Sequence, residues 1–122
     1  MCGISGFSIN EQNDRSSMQT LTNMSKAILH RGPDSGSNWI DRREILALAH
    51  RRLSIVDLSA AGSQPMQSAC GNYVICYNGE IYNATEIQHS IPNAKTKFRG
   101  HSDTEAILES CAEIGVEETT RK

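Results

Sequence analysis

A succession of short β-rich runs constrains this fold more than any other feature of the sequence. Apolar and β-branched residues predict strands at residues 3–9, 37–41, 44–49, 73–77 and 95–98. Sequential strands joined by short links are typical of antiparallel pairing. The order of strand, helix, several strands and helix therefore predicts an α+β fold built on antiparallel sheet rather than a doubly wound parallel sheet.

The first helix is predicted from Ser17 to Leu29, because its apolar residues recur at helical spacing. Ser16 or Ser17 is the expected N-cap, and Gly32-Pro33 ends the helix. Thr85–Ser90 predicts a second, shorter helix.

A third helix begins at Ser102-Asp103-Thr104-Glu105, which has the form of a capping box. Gly115 ends it, since glycine readily adopts the backbone conformation found just after a helix. The tail Glu117–Lys122 is polar and predicts no contribution to a core.

Length and charge exclude several classes of protein. A chain of 122 residues forms one domain at most, and its net charge of −2 predicts no nucleic-acid or polybasic membrane surface. No apolar run has transmembrane length, and no signal peptide is recognisable. The four cysteines and four histidines form neither CxxC nor HExxH spacing, so we expect no metal site and no disulfide framework. The predicted compartment is the reducing cytoplasm.

Cys2 follows the initiator Met1 directly. Removal of Met1 would give this residue both a thiol and a free α-amine, and the amine titrates near roughly 7.7–8.0, where it can accept the thiol proton. N-terminal nucleophiles that use their own amine are a known variant of the nucleophile–base pair. Considered alone, Cys2 is better explained as a small buried apolar residue that opens a strand.

Two further motifs have local explanations when considered alone. The glycine-rich run His30–Gly36 is typical of a turn. Asn78-Gly79 lies between two β-like runs, which is the strongest short-range signal for a β-hairpin.

Together and in this order, the motifs resemble the glutaminase domain of class II glutamine amidotransferases, and within that family the asparagine synthetases. The matching segments are Cys2-Gly3-Ile4, His30-Arg31-Gly32-Pro33-Asp34, Leu48-Ala49-His50, Arg52-Leu53-Ser54-Ile55-Val56-Asp57, Gln64-Pro65, Tyr77-Asn78-Gly79-Glu80-Ile81-Tyr82-Asn83, Gly100 and Ser102-Asp103-Thr104-Glu105.

The resemblance implies the fold of N-terminal nucleophile hydrolases, in which two antiparallel sheets are sandwiched by helices in four αββα layers. It implies hydrolysis of glutamine to glutamate and ammonia, without a cofactor. In the full-length protein the ammonia would serve ATP-dependent synthesis of asparagine from aspartate. ATP and Mg²⁺ are then implied only for the synthetase domain, which is the covalently linked partner.

The resemblance also implies roles for individual residues. Cys2 is the expected nucleophile and its α-amine the expected base. The side-chain amide of Asn78 and the backbone N–H of Gly79 are the expected oxyanion hole, which would make that dipeptide more than a turn.

Glutamine itself is expected to be held by charged side chains. Arg52 suits the α-carboxylate, because a guanidinium fork matches a carboxylate. Glu80 and Asp103 suit the α-ammonium, although Asp103 also lies at a helix start, where a negative charge is favourable. Arg31 and Asp34, of secondary importance, are expected in a loop that closes over the substrate.

Three neighbouring residues receive no catalytic role. His50 and His101 lie beside motif residues, but the implied mechanism needs no histidine. Arg51 is expected to be a solvated surface arginine.

The family's domain continues beyond the point that matches Lys122. We therefore expect residues 1–122 to be the N-terminal portion of a glutaminase domain, with the synthetase domain absent. An incomplete sheet would expose edges that invite pairing with a second copy, which leaves a homodimer open. Two other functions also stay open: the glutaminase half of an amidotransferase that acts on a sugar or antibiotic precursor, and a non-catalytic fragment.

Overall fold

The chain folds into two units that are described separately. The computed structural model describes residues 2–9, 14–41, 43, 45–53, 60–92 and 98–122. The sheet unit comprises residues 1–55, 63–65 and 76–78, and the helical unit comprises residues 56–62, 66–75 and 79–122.

A three-stranded antiparallel sheet forms the centre of the sheet unit. Its strands are β1 (Gly3–Ser8), β2 (Ser35–Asp41) and β3 (Leu46–Arg52), in the order β1-β3-β2. Gly3 pairs with Arg51 at one end of the sheet, and Ser35 pairs with Arg52 at the same end. The predicted antiparallel pairing is confirmed for these strands.

One face of this sheet packs against helix α1 (Asp14–Ala27). Leu21 of the helix and two alanines of the central strand, Ala47 and Ala49, are completely buried. Small side chains at these strand positions let the helix approach the sheet closely. Phe7, Ile9 and Ile40 surround this cluster. Because side chains alternate along a strand, His50 and Arg52 belong to the opposite face.

The link between β2 and β3 is short, as the close spacing of the predicted strands at 37–41 and 44–49 indicates. The side-chain carboxylate of Asp41 accepts a hydrogen bond from the backbone N–H of Arg43 at 2.8 Å, which is the geometry of an Asx turn. Ile45 then takes a positive φ of 55°. Residues 42 and 44 lie outside the described residues.

The helical unit contains a short antiparallel pair of strands and three helices among its described residues. The strands are β4 (Met66–Gln67) and β5 (Val74–Ile75), and the helices are α2 (Ala84–Ser90), α3 (Asp103–Ile114) and α4 (Val116–Thr120). Ile87, Ile91 and Ala106 form its buried cluster, with Ile81, Ala84 and Phe98 packed against them. Single 3₁₀ turns occur at Leu29–Arg31 in the sheet unit and at Ala60–Gly62.

Several predicted elements are confirmed and others are wrong. The first helix begins at Asp14, before the predicted N-caps Ser16 and Ser17. The strand predicted at residues 73–77 is reduced to Val74–Ile75, which pairs with β4 alone among the described strands. Three residues of the strand predicted at 95–98, residues 95–97, lie outside the described residues. The fourth, Phe98, is not in a strand.

The prediction that the polar tail makes no contribution to a core is wrong. The tail forms helix α4, in which Thr119 is 3% exposed. The Thr119 hydroxyl donates to the carbonyl of Gly115 at 2.8 Å and lies 3.1 Å from the hydroxyl of Ser110. Hydrogen bonding rather than apolar area makes this segment part of the packed structure.

The α+β class with antiparallel sheets is thus confirmed, and the four-layer arrangement stays a prediction. In the part of the chain that the structure describes, no helix is long and apolar enough to cross a membrane.

Candidate active site

Cys2 lies at the end of the three-stranded sheet where β1 begins and β3 ends. Its Sγ accepts a hydrogen bond from the backbone N–H of Leu53 at 3.4 Å and lies 3.8 Å from the Leu53 carbonyl. Because Gly3 pairs with Arg51, continuing the register by one residue brings Cys2 opposite Arg52. The thiol is half-buried.

Arg52 is the last residue of β3 and is only 9% exposed. Its backbone carbonyl accepts a hydrogen bond from the backbone N–H of Asp34 at 3.1 Å. The loop after α1 therefore runs along the same end of the sheet as Cys2. Arg31 approaches this end as well, since a Cβ added at Gly3 would lie 3.0 Å from the Cβ of Arg31.

Arg51 holds this loop in position. Its Nε donates to the carbonyl of Gly32 at 3.0 Å, and a second guanidinium nitrogen donates to the carbonyl of Pro33 at 3.4 Å. A Cβ added at Gly32 would lie 2.4 Å from the backbone of Arg51, so only glycine permits this approach. These hydrogen bonds show that the prediction of Arg51 as a solvated surface residue is wrong. The local sequence pattern could not indicate them, because Gly32 lies 19 residues away from Arg51.

The hairpin predicted at Asn78-Gly79 does not form. Residues 76–81 belong to no strand or helix, and Asn78 and Gly79 are exposed. The backbone just before them is held by side chains: the N–H of Tyr77 donates to Oε1 of Gln64 at 2.6 Å. The carbonyl of Tyr77 accepts a hydrogen bond from His50.

His50 is 1% exposed, so its imidazole is removed from water. Burial is the largest cause that lowers the pKa of His50 below 6.5; the hydrogen bond to the Tyr77 carbonyl opposes this shift, and the positive charge of Arg52 adds to it. The ring is therefore neutral at pH 7. Sequence reasoning assigned His50 no role, and no local signal marks its contact with Tyr77.

In the helical unit, Asp103 organises the segment that follows Gly79. One oxygen of its carboxylate accepts from the backbone N–H of Ile81 at 2.9 Å, and the other accepts from the N–H of Thr104 at 2.7 Å. Glu80, which precedes Ile81, is exposed. Asp103 thus fixes the backbone beside Glu80 and begins α3 as well.

The predicted site residues fall into two groups. Those at one end of the sheet are Cys2, Arg52, Arg31 and Asp34, and Asn78 belongs to the same unit. Gly79 and Glu80 belong to the helical unit, on the segment whose backbone is hydrogen-bonded to Asp103 of α3. Among the described residues, no group of three histidine, cysteine or acidic side chains is arranged to hold a metal ion.

Comparisons with known proteins agree with these motifs. The glutamine amidotransferase domain family matches residues 1–122. The chain is 40% identical over 119 residues to the glutamine-hydrolysing asparagine synthetase 2 of Bacillus subtilis, covering 95% of this chain and 15% of that protein. It is 39% identical over 108 residues to asparagine synthetase 1 of Saccharomyces cerevisiae, covering 88% and 18%.

A relative of another description is similar as well. The chain is 33% identical over 117 residues to amidase chry2 of Gibberella zeae, covering 88% of this chain and 17% of that protein. The chain thus spans less than a fifth of the length of these curated relatives. The family match over the whole chain, together with identities of this size, shows that the protein belongs to the glutamine amidotransferase domain family.

Proposed function

We propose that this domain hydrolyses glutamine to glutamate and ammonia, with Cys2 as the nucleophile. One observation supports the proposal: the half-buried Cys2 and the buried residue Arg52 lie at the same end of the three-stranded sheet. A thiol and a guanidinium suit a substrate with an amide to attack and a carboxylate to hold. Glutamine carries both groups.

The chemistry proceeds through a thioester. Sγ of Cys2 attacks the side-chain amide carbon of glutamine, and the α-amine of Cys2, freed by removal of Met1, accepts the thiol proton. The side-chain amide of Asn78 and the N–H of Gly79 stabilise the oxyanion. The C–N bond then breaks, the leaving nitrogen takes the proton and departs as ammonia, and water hydrolyses the thioester to glutamate.

Charged side chains hold the rest of the substrate. Arg52 binds the α-carboxylate, and Glu80 and Asp103 bind the α-ammonium. Asp103 already accepts two backbone hydrogen bonds, but an ionised carboxylate has about four acceptor positions, so it retains capacity for the ammonium. The loop with Arg31 and Asp34 excludes water from the thioester.

The ammonia serves ATP-dependent synthesis of asparagine from aspartate in a longer protein, whose synthetase domain uses ATP and Mg²⁺. Similarity to asparagine synthetases supports this acceptor. A second candidate is the glutaminase half of an amidotransferase that acts on a sugar or antibiotic precursor, since one relative, amidase chry2, is not named as an asparagine synthetase. The full-length protein supplied with glutamine, ATP and aspartate separates the two, because only the first candidate forms asparagine.

Replacing Cys2→Ala tests the nucleophile. We expect glutamine-dependent ammonia release to be lost while the circular dichroism spectrum is retained. Cys111→Ala, a half-buried cysteine of α3, is the matched control and should keep the activity. In the unaltered chain without Met1, diazo-oxo-norleucine should add its mass to Cys2. Unchanged hydrolysis by the alanine variant would contradict the assignment, and a folded sample that resists labelling would indicate a non-catalytic fragment.

Replacing Asn78→Ala tests the oxyanion donor. We expect kcat to fall by roughly 10²–10³-fold with little change in KM, because the interaction forms only in the transition state. Asn72→Ala, at another exposed asparagine, should leave both constants unchanged. A loss of thermal stability with kcat preserved would instead identify Asn78 as a structural turn residue.

A further inference from the structure

Two consecutive peptide groups just before Asn78 are held by buried side chains of the sheet unit. The N–H of Tyr77 donates to Gln64, and the carbonyl of Tyr77 accepts from His50. Gln64 is 8% exposed and His50 is 1% exposed. These contacts come from two segments that are distant from Tyr77 in the sequence.

Because peptide groups are planar, these contacts of Tyr77 also constrain the position of Asn78. The carbonyl of Tyr77 and the N–H of Asn78 belong to one rigid plane, and the N–H of Tyr77 belongs to the plane before it. Holding both planes fixes the two backbone dihedrals of Tyr77 and hence the Cα of Asn78. Because the side chain of Asn78 is exposed, its position depends on this backbone rather than on packing.

His50 is a costly residue at its position if stability is its only purpose. Its Nε2 is buried and has no hydrogen-bond partner among the residues that the structure describes. A buried polar atom without a partner destabilises a fold, and a leucine of similar size would avoid that cost. Since Nε2 is unpaired, Nδ1 is the nitrogen that donates to Tyr77.

We propose that His50 and Gln64 are positioning residues, which fix the backbone of Tyr77 so that Asn78 directs its side-chain amide at the oxyanion. The inference rests on the proposed function, because it needs Asn78 as an oxyanion donor. Neither residue is proposed to touch the substrate. Preorganisation of such a donor matters because no reorganisation is then needed as charge develops.

His50→Leu removes the donor, and His50→Asn retains an N–H close to the position of Nδ1. In the chain without Met1, we expect His50→Leu to lower kcat for glutamine hydrolysis by about 10–100-fold, with KM within about twofold. His50→Asn should restore most of the lost rate. Leu21→Val is the control, since it loosens the core on the face of the sheet opposite to His50, and its kcat should stay within about twofold of the unaltered chain.

Gln64→Met provides a second variant should His50→Leu fold poorly. It removes the acceptor of the Tyr77 N–H, so we expect the same loss of kcat and faster hydrogen exchange at the Tyr77 amide. Because both side chains act through one backbone segment, the double variant should lose less activity than the product of the two single losses.

The possible failures are distinguishable. If the Cys2→Ala variant hydrolyses glutamine at the unaltered rate, the proposed function itself is wrong. If Cys2 and Asn78 behave as proposed but folded His50→Leu and Gln64→Met keep full kcat, only the positioning role is overturned. A fall in kcat that Leu21→Val reproduces, or that His50→Asn does not relieve, also overturns it.

Discussion

Two cysteines of this chain have opposite environments. Burial raises the pKa of the Cys76 thiol to about 11. Cys70 is exposed, and the hydroxyl of Ser68, 3.4 Å from its sulfur, is the largest cause of a lowered pKa for that thiol. The thiolate is the form that reacts with electrophiles, so these shifts predict different reactivities outside the proposed active site.

We predict that Cys70 is alkylated at least about tenfold faster than Cys76 at pH 8. The pKa of Cys70 lies below 9.0 and that of Cys76 is about 11, so their thiolate fractions differ by at least about a hundredfold. The more basic thiolate of Cys76 is the stronger nucleophile, which reduces the expected ratio of alkylation rates by about tenfold. Iodoacetamide labelling followed by peptide mass spectrometry measures the ratio. The difference should disappear in urea, and equal rates in the folded chain would contradict the environments described.

At the scale of elements, buried carboxylates on α3 hold the loops around it. Glu105 is completely buried and accepts from the backbone N–H groups of Arg99 and Gly100, both at 2.9 Å. Glu109 accepts from the N–H of Ala69 at 2.7 Å. The capping box is confirmed in its Ser102 half, whose hydroxyl accepts from the N–H of Glu105 at 3.1 Å. The carboxylate of Glu105 is used for the preceding loop.

We expect Glu105→Ala to lower the free energy of unfolding by on the order of 3 kcal/mol, because two backbone N–H groups would lose a charged acceptor. Urea denaturation monitored by circular dichroism measures the change. Glu86→Ala, at an exposed position in the first turn of α2, should change the stability by no more than about 0.5 kcal/mol. Equal small effects at both positions would show that the Glu105 contacts do not stabilise the loop.

At the scale of the whole molecule, His50 makes folding sensitive to acid. Its pKa is lowered in the folded state, so below pH 6.5 the unfolded chain binds more protons than the folded chain. Stability contributed by the neutral ring is complete above that pH and declines as pH falls toward the folded pKa. Around the ring lie the cation Arg52 on the same strand and the Tyr77 carbonyl, and the paired residues Ile4 and Ser37 carry no charge.

We predict that the free energy of unfolding falls between pH 6.5 and pH 5 with a contribution from His50 of at most about 1.4 kcal/mol per pH unit. His50→Asn should remove this contribution and flatten the profile. Urea titrations at several pH values measure it, with His101→Asn, at an exposed position, controlling for the loss of one histidine. A profile that His50→Asn leaves unchanged would contradict the prediction.

The sequence by itself determined the family, the antiparallel α+β class, the strand beginning at Gly3, the helices α2 and α3 and the Ser102 cap. These features depend on motifs, on periodicity or on contacts within a few residues, so the local pattern contains them. The residue roles at Cys2, Asn78 and Arg52 came from the resemblance and stay proposals.

Only the tertiary structure decided how the site residues are supported. Arg51 contacts a loop 19 residues away, and His50 and Gln64 hold Tyr77, so the expected hairpin is replaced by an irregular segment. The polar tail forms a helix that is part of the packed structure, because the hydroxyl of Thr119 forms a hydrogen bond with that of Ser110. Hydrogen bonds between residues far apart in the chain leave no periodic signal in the sequence, and they form only when the fold brings their donors and acceptors together.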